Sequence, residues 1–290
     1  MNPLRACNLN TIPITNAPVV YWMSREQRVQ DNWALLHAQK LALERKVPLC
    51  VVFTLADLFL GATLRQYGFM LRGLAQVADR LAGLKIPFIL LRGEPVDSML
   101  RFVQLHPVGA LVVDFDPLSI KRRWRDTVAE SAGVACIEVD SHNVVPCRVA
   151  SPKLEFGAYT LRPKLNRLLP DFLEDFPKLQ QHPFAGENLQ VSTFPPESGI
   201  DALLDSLSLD GRVPELTSIL AGESAAHRRL LGFVENGLEG YDTLRNDPNR
   251  PASRRSHPIC ISARLPRNGW RWWSRVRQEI QYPVQLFWKS

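Results

Sequence analysis

The chain has 290 residues, 46% of them hydrophobic, enough for one large domain or two ordinary ones with a proper core. No apolar run approaches the roughly 20 residues that cross a bilayer, and nothing near Met1 reads as a secretory leader. A cytoplasmic protein that spans no membrane is expected. The net charge of +6 invites a nucleic-acid reading, but of 35 basic and 29 acidic residues, nine basic and one acidic fall between Arg250 and Ser290; residues 1–249 carry 26 and 28, a net −2.

Candidate strands are Val19–Met23, Leu49–Leu55, Phe88–Leu91, Ala110–Asp114 and Ala135–Asp140. Each is a nearly continuous apolar run, as in strands buried on both faces of a parallel sheet. Between them lie amphipathic stretches of crossover length: Glu26–Arg45, Tyr67–Leu84, Val96–Leu105 and Ile120–Ala132. Strand alternating with helix over residues 1–150 predicts a doubly wound parallel-sheet α/β domain.

Residues 151–199 are proline-rich with one evident helix near Lys164–Phe176. Leu154, Phe156, Leu161, Leu165, Leu168, Phe172 and Phe176 make the segment too apolar for a free linker, so it is expected to pack as an interdomain connection. From Ile200 the pattern turns helical, most clearly in Glu223–Tyr241, and a second, all-helical domain is expected to begin there. Cys7, Cys50, Cys136, Cys147 and Cys260 are scattered without a CxxC pair or a His partner, which predicts reduced thiols and no metal site.

Two residue groups have ordinary explanations. Asn32 and Trp33 suit a cap-like surface group and a core or domain-interface aromatic, and His142 and Asn143 suit loop hydrogen bonding. Lys121, Arg122, Arg123 and Arg125 could contact phosphate, but the solvated face of a helix accounts for them better.

The segments Tyr21-Trp22-Met23-Ser24-Arg25-Glu26-Gln27-Arg28 and Asp31-Asn32-Trp33-Ala34-Leu35 closely resemble the first strand and helix of class II cyclobutane pyrimidine dimer photolyases. Further matches follow in order: Phe69-Met70-Leu71-Arg72-Gly73-Leu74, Ile86-Pro87-Phe88, Trp124-Arg125, Val139-Asp140 with His142-Asn143-Val144-Val145-Pro146, Leu161-Arg162-Pro163-Lys164, and Tyr241 with Arg245-Asn246-Asp247-Pro248-Asn249. The resemblance implies light-driven repair of UV-damaged DNA by a monomer. The lesion is flipped from the duplex, and an electron from the excited reduced flavin of FAD opens the cyclobutane ring and returns. It also implies an antenna chromophore of deazaflavin or folate type in the α/β domain. By the same resemblance Tyr241 is cofactor-binding, on the flavin phosphates, and Arg245 is DNA-binding, through a phenol hydroxyl and a guanidinium suited to those roles. No catalytic residue or metal ligand is assigned.

After Asn249 the resemblance stops abruptly. The family continues with Leu-Ser-Pro-Tyr-Leu-His-Phe-Gly; permitted codons for Pro258–Gly269, read one base out of frame, spell Pro-Tyr-Leu-His-Phe-Gly-Lys-Ile-Ala-Ala-Gln-Arg. Trp270, Trp272, Trp273 and Trp288, four of the seven tryptophans, also fall in this tail, without a helical or strand period to bury them. A frameshift near residues 249–252 is therefore expected, with 200–249 the start of a helical FAD-binding domain and 250–290 a disordered, non-family tail. FAD binding and activity of such a truncated chain are expected to be lost. The rival readings are a cryptochrome-like photoreceptor, which the class II words disfavour, and a nucleotide-binding module. The latter lacks a Gly-rich loop after the first strand, where Ser24-Arg25-Glu26-Gln27 stands instead.

Overall fold

The computed structural model describes residues 1–184, 193–216, 218–236 and Tyr241. Its centre is a six-stranded sheet of β1 (Ala6–Asn8), β2 (Val19–Met23), β3 (Leu49–Leu55), β4 (Phe88–Arg92), β5 (Ala110–Asp114) and β6 (Ala135–Val139). Their spatial order is β1-β6-β5-β2-β3-β4. The five long strands are parallel and β1 pairs antiparallel to β6. Crossover helices α1 (Trp33–Arg45), α2 (Leu64–Gly83), α3 (Pro95–Leu105) and α4 (Ser119–Ser131) connect them.

The continuous apolar strands sort their side chains by the two-residue period of extended chain. Val19, Tyr21, Met23, Val51 and Phe53 face one layer with α1 and α2, in a core shared with Trp33, Leu35, Leu71 and Leu74. Val20, Trp22, Cys50, Val52 and Leu111 face the other layer, against Met99 and Phe102 of α3 and Val128 of α4. This is the doubly wound α/β arrangement that the sequence pattern predicts. Cys7, Cys50, Cys136 and Cys147 are free thiols, and burial pushes Cys50 up to about 12; Cys260 lies outside the described residues. Among the described residues no helix is long and apolar enough to cross a membrane.

β1 was not expected, since three residues at an edge give no pattern of their own. Other expectations are corrected. α1 starts at Trp33 rather than Glu26, because the preceding residues are tied down by tertiary hydrogen bonds described below. Its N-cap, Asn32, is fully buried rather than at the surface: Oδ1 accepts from the Leu35 amide at 3.0 Å, and Nδ2 donates to Tyr21 Oη, the Glu26 carbonyl and the Arg28 carbonyl. In the connection, Leu154 and Phe156 are exposed at 84% and 93%, so the packing inferred from their apolarity does not extend to them.

The rest of the connection does dock. Helix α5 (Cys147–Ala150) leads to α6 (Ala158–Phe172), which begins and ends before the expected Lys164–Phe176. Phe172 is buried, and Phe176 stacks on Trp33 with ring centroids 4.2 Å apart. Arg5 gathers this corner: its guanidinium donates to the carbonyls of Asp140, Asn143, Val144 and Phe172, and lies over the Trp33 and Phe172 rings. Phe194 stacks on Phe88 and its amide donates to the Phe88 carbonyl at 2.8 Å. Ile200 and Leu204 of α7 (Ile200–Asp205) join the core under α2. Helix α8 (Glu223–Asn236) closes the described chain, followed by Tyr241.

Candidate functional site

In an open parallel sheet, a crevice forms at the carboxyl ends of the strands where the chain order reverses. Here β2 is that point, with β3 on one side and β5 on the other. The loop after β2 would be the usual phosphate cradle, but its amides are already taken. Asp114, the last residue of β5, accepts the backbone amides of Ser24, Arg25 and Glu26 on Oδ2 at 2.9, 2.8 and 3.0 Å, and the Tyr21 hydroxyl on Oδ1 at 2.7 Å. An internal carboxylate stands where a ligand phosphate would. Burial and the nearby Glu26 carboxylate push Asp114 up to about 6, against the pull of those donors.

A buried network continues from this loop. Glu26 pairs with Arg28 and meets His142 Nδ1 at 3.0 Å, all three side chains nearly free of solvent. Burial alone would raise the Glu26 carboxyl; Arg28 and His142 hold it below its ordinary value. His142 and Asn143 thus act as loop hydrogen-bonders, Asn143 binding both oxygens of Asp140. The network fixes the loop and places Ser24, Arg25 and Gln27 at the mouth of a cavity.

That cavity has a volume of about 990 Å³. Phe53, Thr54 and Leu55 at the end of β3 form its floor, Tyr67 and Met70 of α2 one side, and Lys121 and Trp124 of α4 the other. Phe59 and Trp124 lie with ring centroids 5.7 Å apart, and the Lys121 ammonium sits over both rings, 4.9 and 4.7 Å from their centroids. Burial draws Lys121 down to about 8, and the carboxylates of Asp116 and Asp114 only partly offset it. Arg25 donates to Asp116 Oδ1 at 3.2 Å while its Nε is buried without a hydrogen-bond partner. Apolar and aromatic surfaces with a few convergent cationic donors suit a planar, polar-edged ligand. The ionisable side chains on the lining are Arg25, Arg65, Tyr67, Asp116 and Lys121.

The basic run of α4 divides in two. Arg122 and Arg123 are exposed, as a solvated helix face requires, and Arg125 pairs with Asp126 and Glu138. Lys121 instead turns into the cavity with Trp124. Sequence reasoning missed this pair; their i, i+3 spacing was the available signal. Tyr241 is helical and half-buried, edge-on to Phe233 at 5.6 Å between centroids. Arg245 lies outside the described residues, as does the tail 250–290.

Residues 19–182 match the family model described as DNA photolyase. The chain belongs to the DNA photolyase family. It is 45% identical over 235 residues to the deoxyribodipyrimidine photo-lyase of Potorous tridactylus, covering 80% of this chain and 43% of that one. To the deoxyribodipyrimidine photo-lyase of Arabidopsis thaliana it is 43% identical over 244 residues, covering 82% and 49%. The chain thus spans about half the length of these photolyase relatives. Its fold is similar to a bacterial class III photolyase from Agrobacterium tumefaciens, with a TM-score of 0.61 at 18% identity, covering 87% of this chain and 52% of that structure.

Proposed function

We propose that this chain is the N-terminal half of a class II cyclobutane pyrimidine dimer photolyase. In this reading residues 1–150 are the antenna domain, 151–199 the interdomain connection and 200–249 the first helices of the FAD-binding domain. The activity is light-driven repair of pyrimidine dimers in damaged DNA, with FAD supplying the electron. Tyr241 and Arg245 keep their proposed places on the flavin phosphates and near the DNA. Of these, Tyr241 falls among the described residues.

The observation that carries the reading is the cavity at the β2 switch point. Its aromatic walls and half-buried cations fit an antenna chromophore of deazaflavin or folate type, which when bound supplies light absorption and passes the excitation on. Trp124, Phe59 and Phe53 offer faces for stacking, while Lys121 and the unpartnered Arg25 Nε offer charge and a donor to the polar edge. The occupied loop after β2 weighs against the nucleotide-binding alternative, since a phosphate would have to displace the Asp114 carboxylate. Titrating the purified chain with 5-deazariboflavin and with 5,10-methenyltetrahydrofolate tests the reading. One of them should bind saturably, with about tenfold weaker binding after Trp124→Ala or Lys121→Met. If neither binds, the cavity is not an antenna site.

We infer in addition that residues 250–290 are read out of frame. The support is the abrupt loss of family words after Asn249 together with the Arg- and Trp-rich composition of the tail. On this reading the chain as it stands lacks the flavin-dependent activity.

A further inference from the structure

One face of α2 carries no core residue and still is not an ordinary solvated face. Arg65, Gly68, Arg72, Gln76 and Arg80 recur at spacings of three and four, so they line one side of the helix, away from Leu71, Leu74 and Leu81 in the core. Every one of them meets the segment between α7 and α8. Arg65 Nε donates to the Pro214 carbonyl at 3.1 Å. Arg72 forks onto Glu215, Nε to Oε2 at 2.7 Å and Nη2 to Oε1 at 2.8 Å, and also reaches Asp201 at 2.7 Å. Gln76 Nε2 donates to the Ala221 carbonyl at 3.0 Å, and Arg80 pairs with the buried Glu223 at 2.7 Å. Glu223 in turn accepts the amides of Val29 and Gln30 from the loop after β2.

Two glycines make the close approach possible. A Cβ on Gly68 would collide with the Glu215 carboxylate, and one on Gly222, whose φ of 95° already lies in the left-handed region, would collide with the Gln76 side chain. Between these fastenings the segment places Leu216 and Ile219 against the cavity, opposite Lys121 and Trp124.

We propose that residues 215–216 and 218–223 are a strap forming the outer wall of the cavity, and that Arg72 and Glu215 are positioning residues for whatever the cavity holds. They touch no ligand themselves. They fix Leu216 and Ile219, and so set how tightly and how long a ligand is retained. A single exposed ion pair would be a weak fastening; a bidentate fork braced by Asp201 and repeated along four turns of helix is a stronger one. The ligand part of the proposal rests on the reading of the cavity as a chromophore site; the strap itself does not.

The test uses the full 290-residue chain. Met70→Cys places a thiol on the α2 wall beneath the strap, and its maleimide labelling rate is followed by peptide mass spectrometry, which separates it from the five native cysteines. Glu215→Gln and Gly68→Ala should each raise that rate at least tenfold. Gly68→Ala is the sharper variant, because alanine is the better helix former: it should loosen the strap while the melting temperature stays level or rises, which general destabilisation would not do. Unchanged labelling in both variants overturns the strap. In a second arm, without Met70→Cys, bound 5-deazariboflavin should dissociate at least tenfold faster from either variant than from the wild type. Equal dissociation rates overturn the positioning role. If the wild type binds 5,10-methenyltetrahydrofolate instead, its dissociation is followed in the same way; if it binds neither, the chromophore reading fails and the labelling arm alone decides the strap.

Discussion

Asp114 is the residue on which the loop beside the cavity depends, and two substitutions measure how much. Asp114→Ala removes the acceptor of four donors. The amides of Ser24 and Arg25 are half-buried and can turn to water, but the Glu26 amide and the Tyr21 hydroxyl are buried. Each orphaned buried donor costs about 1–3 kcal/mol, so the expected loss is about 2–6 kcal/mol. Asp114→Asn keeps a carbonyl oxygen for the amides and places its NH2 toward Tyr21, whose oxygen already accepts from Asn32 at 3.1 Å. Only the phenol proton loses its partner, and about 1–2 kcal/mol is expected. The two variants also differ from the wild type in pH dependence. Burial and Glu26 raise the folded pKa of Asp114 from 3.8 to about 6, so the native state binds this proton more tightly than the unfolded chain. The associated stability is fully present below pH 4 and is lost as pH rises through 6, an effect on the order of 3 kcal/mol. Urea unfolding of the wild type and both variants between pH 4 and 8 reads both quantities. The reasoning is refuted if Asp114→Ala costs less than about 1 kcal/mol, or if Asp114→Asn keeps the full pH slope of the wild type between pH 4 and 6.

Arg5→Leu should cost about 3–5 kcal/mol, as loss of a buried charged group with several partners does, because four carbonyls and two aromatic faces lose their shared partner; a change in the urea midpoint too small to resolve would contradict this. Restoring one base near codon 250 should extend the reading frame by about 200 residues, the size of a further domain, and an immediate stop codon would refute the frame reading. On the same reading the purified 290-residue chain carries no stoichiometric FAD, and a yellow preparation at one flavin per chain would count against it.

The parallel strands were legible because each is buried on both faces, which leaves an unbroken apolar run: Val19–Met23, Leu49–Leu55 and Ala110–Asp114 match the sequence expectation residue for residue. β1 was not legible, because Ala6-Cys7-Asn8 is held by its register against Val139, Glu138 and Ile137 rather than by any pattern of its own. The start of α1 was misplaced because Glu26–Asp31 reads as helix locally, while its backbone and side chains are committed to Asp114, His142 and Asn32 across the fold. The cavity was invisible for a related reason. Residues 53–70, from the end of β3 into α2, line one part of it, but the remaining walls come from the loops after β2 and β5, from α4 and from the segment after α7, which the sequence does not show to be neighbours.

The sheet's two edges bear on how the molecule can be dissected. One edge is closed by β1, and the start of the other, β4, is covered by Thr193 and Phe194, which meet Ile89 and Phe88. A fragment cut at residue 150, where the alternation of strand and helix ends, would lose that cover and bare the edge of β4 from its first residue. An open strand of this kind recruits a neighbour's. Such a fragment should therefore pair edge to edge with its own copies, whereas one extended past Phe194 carries its own cover.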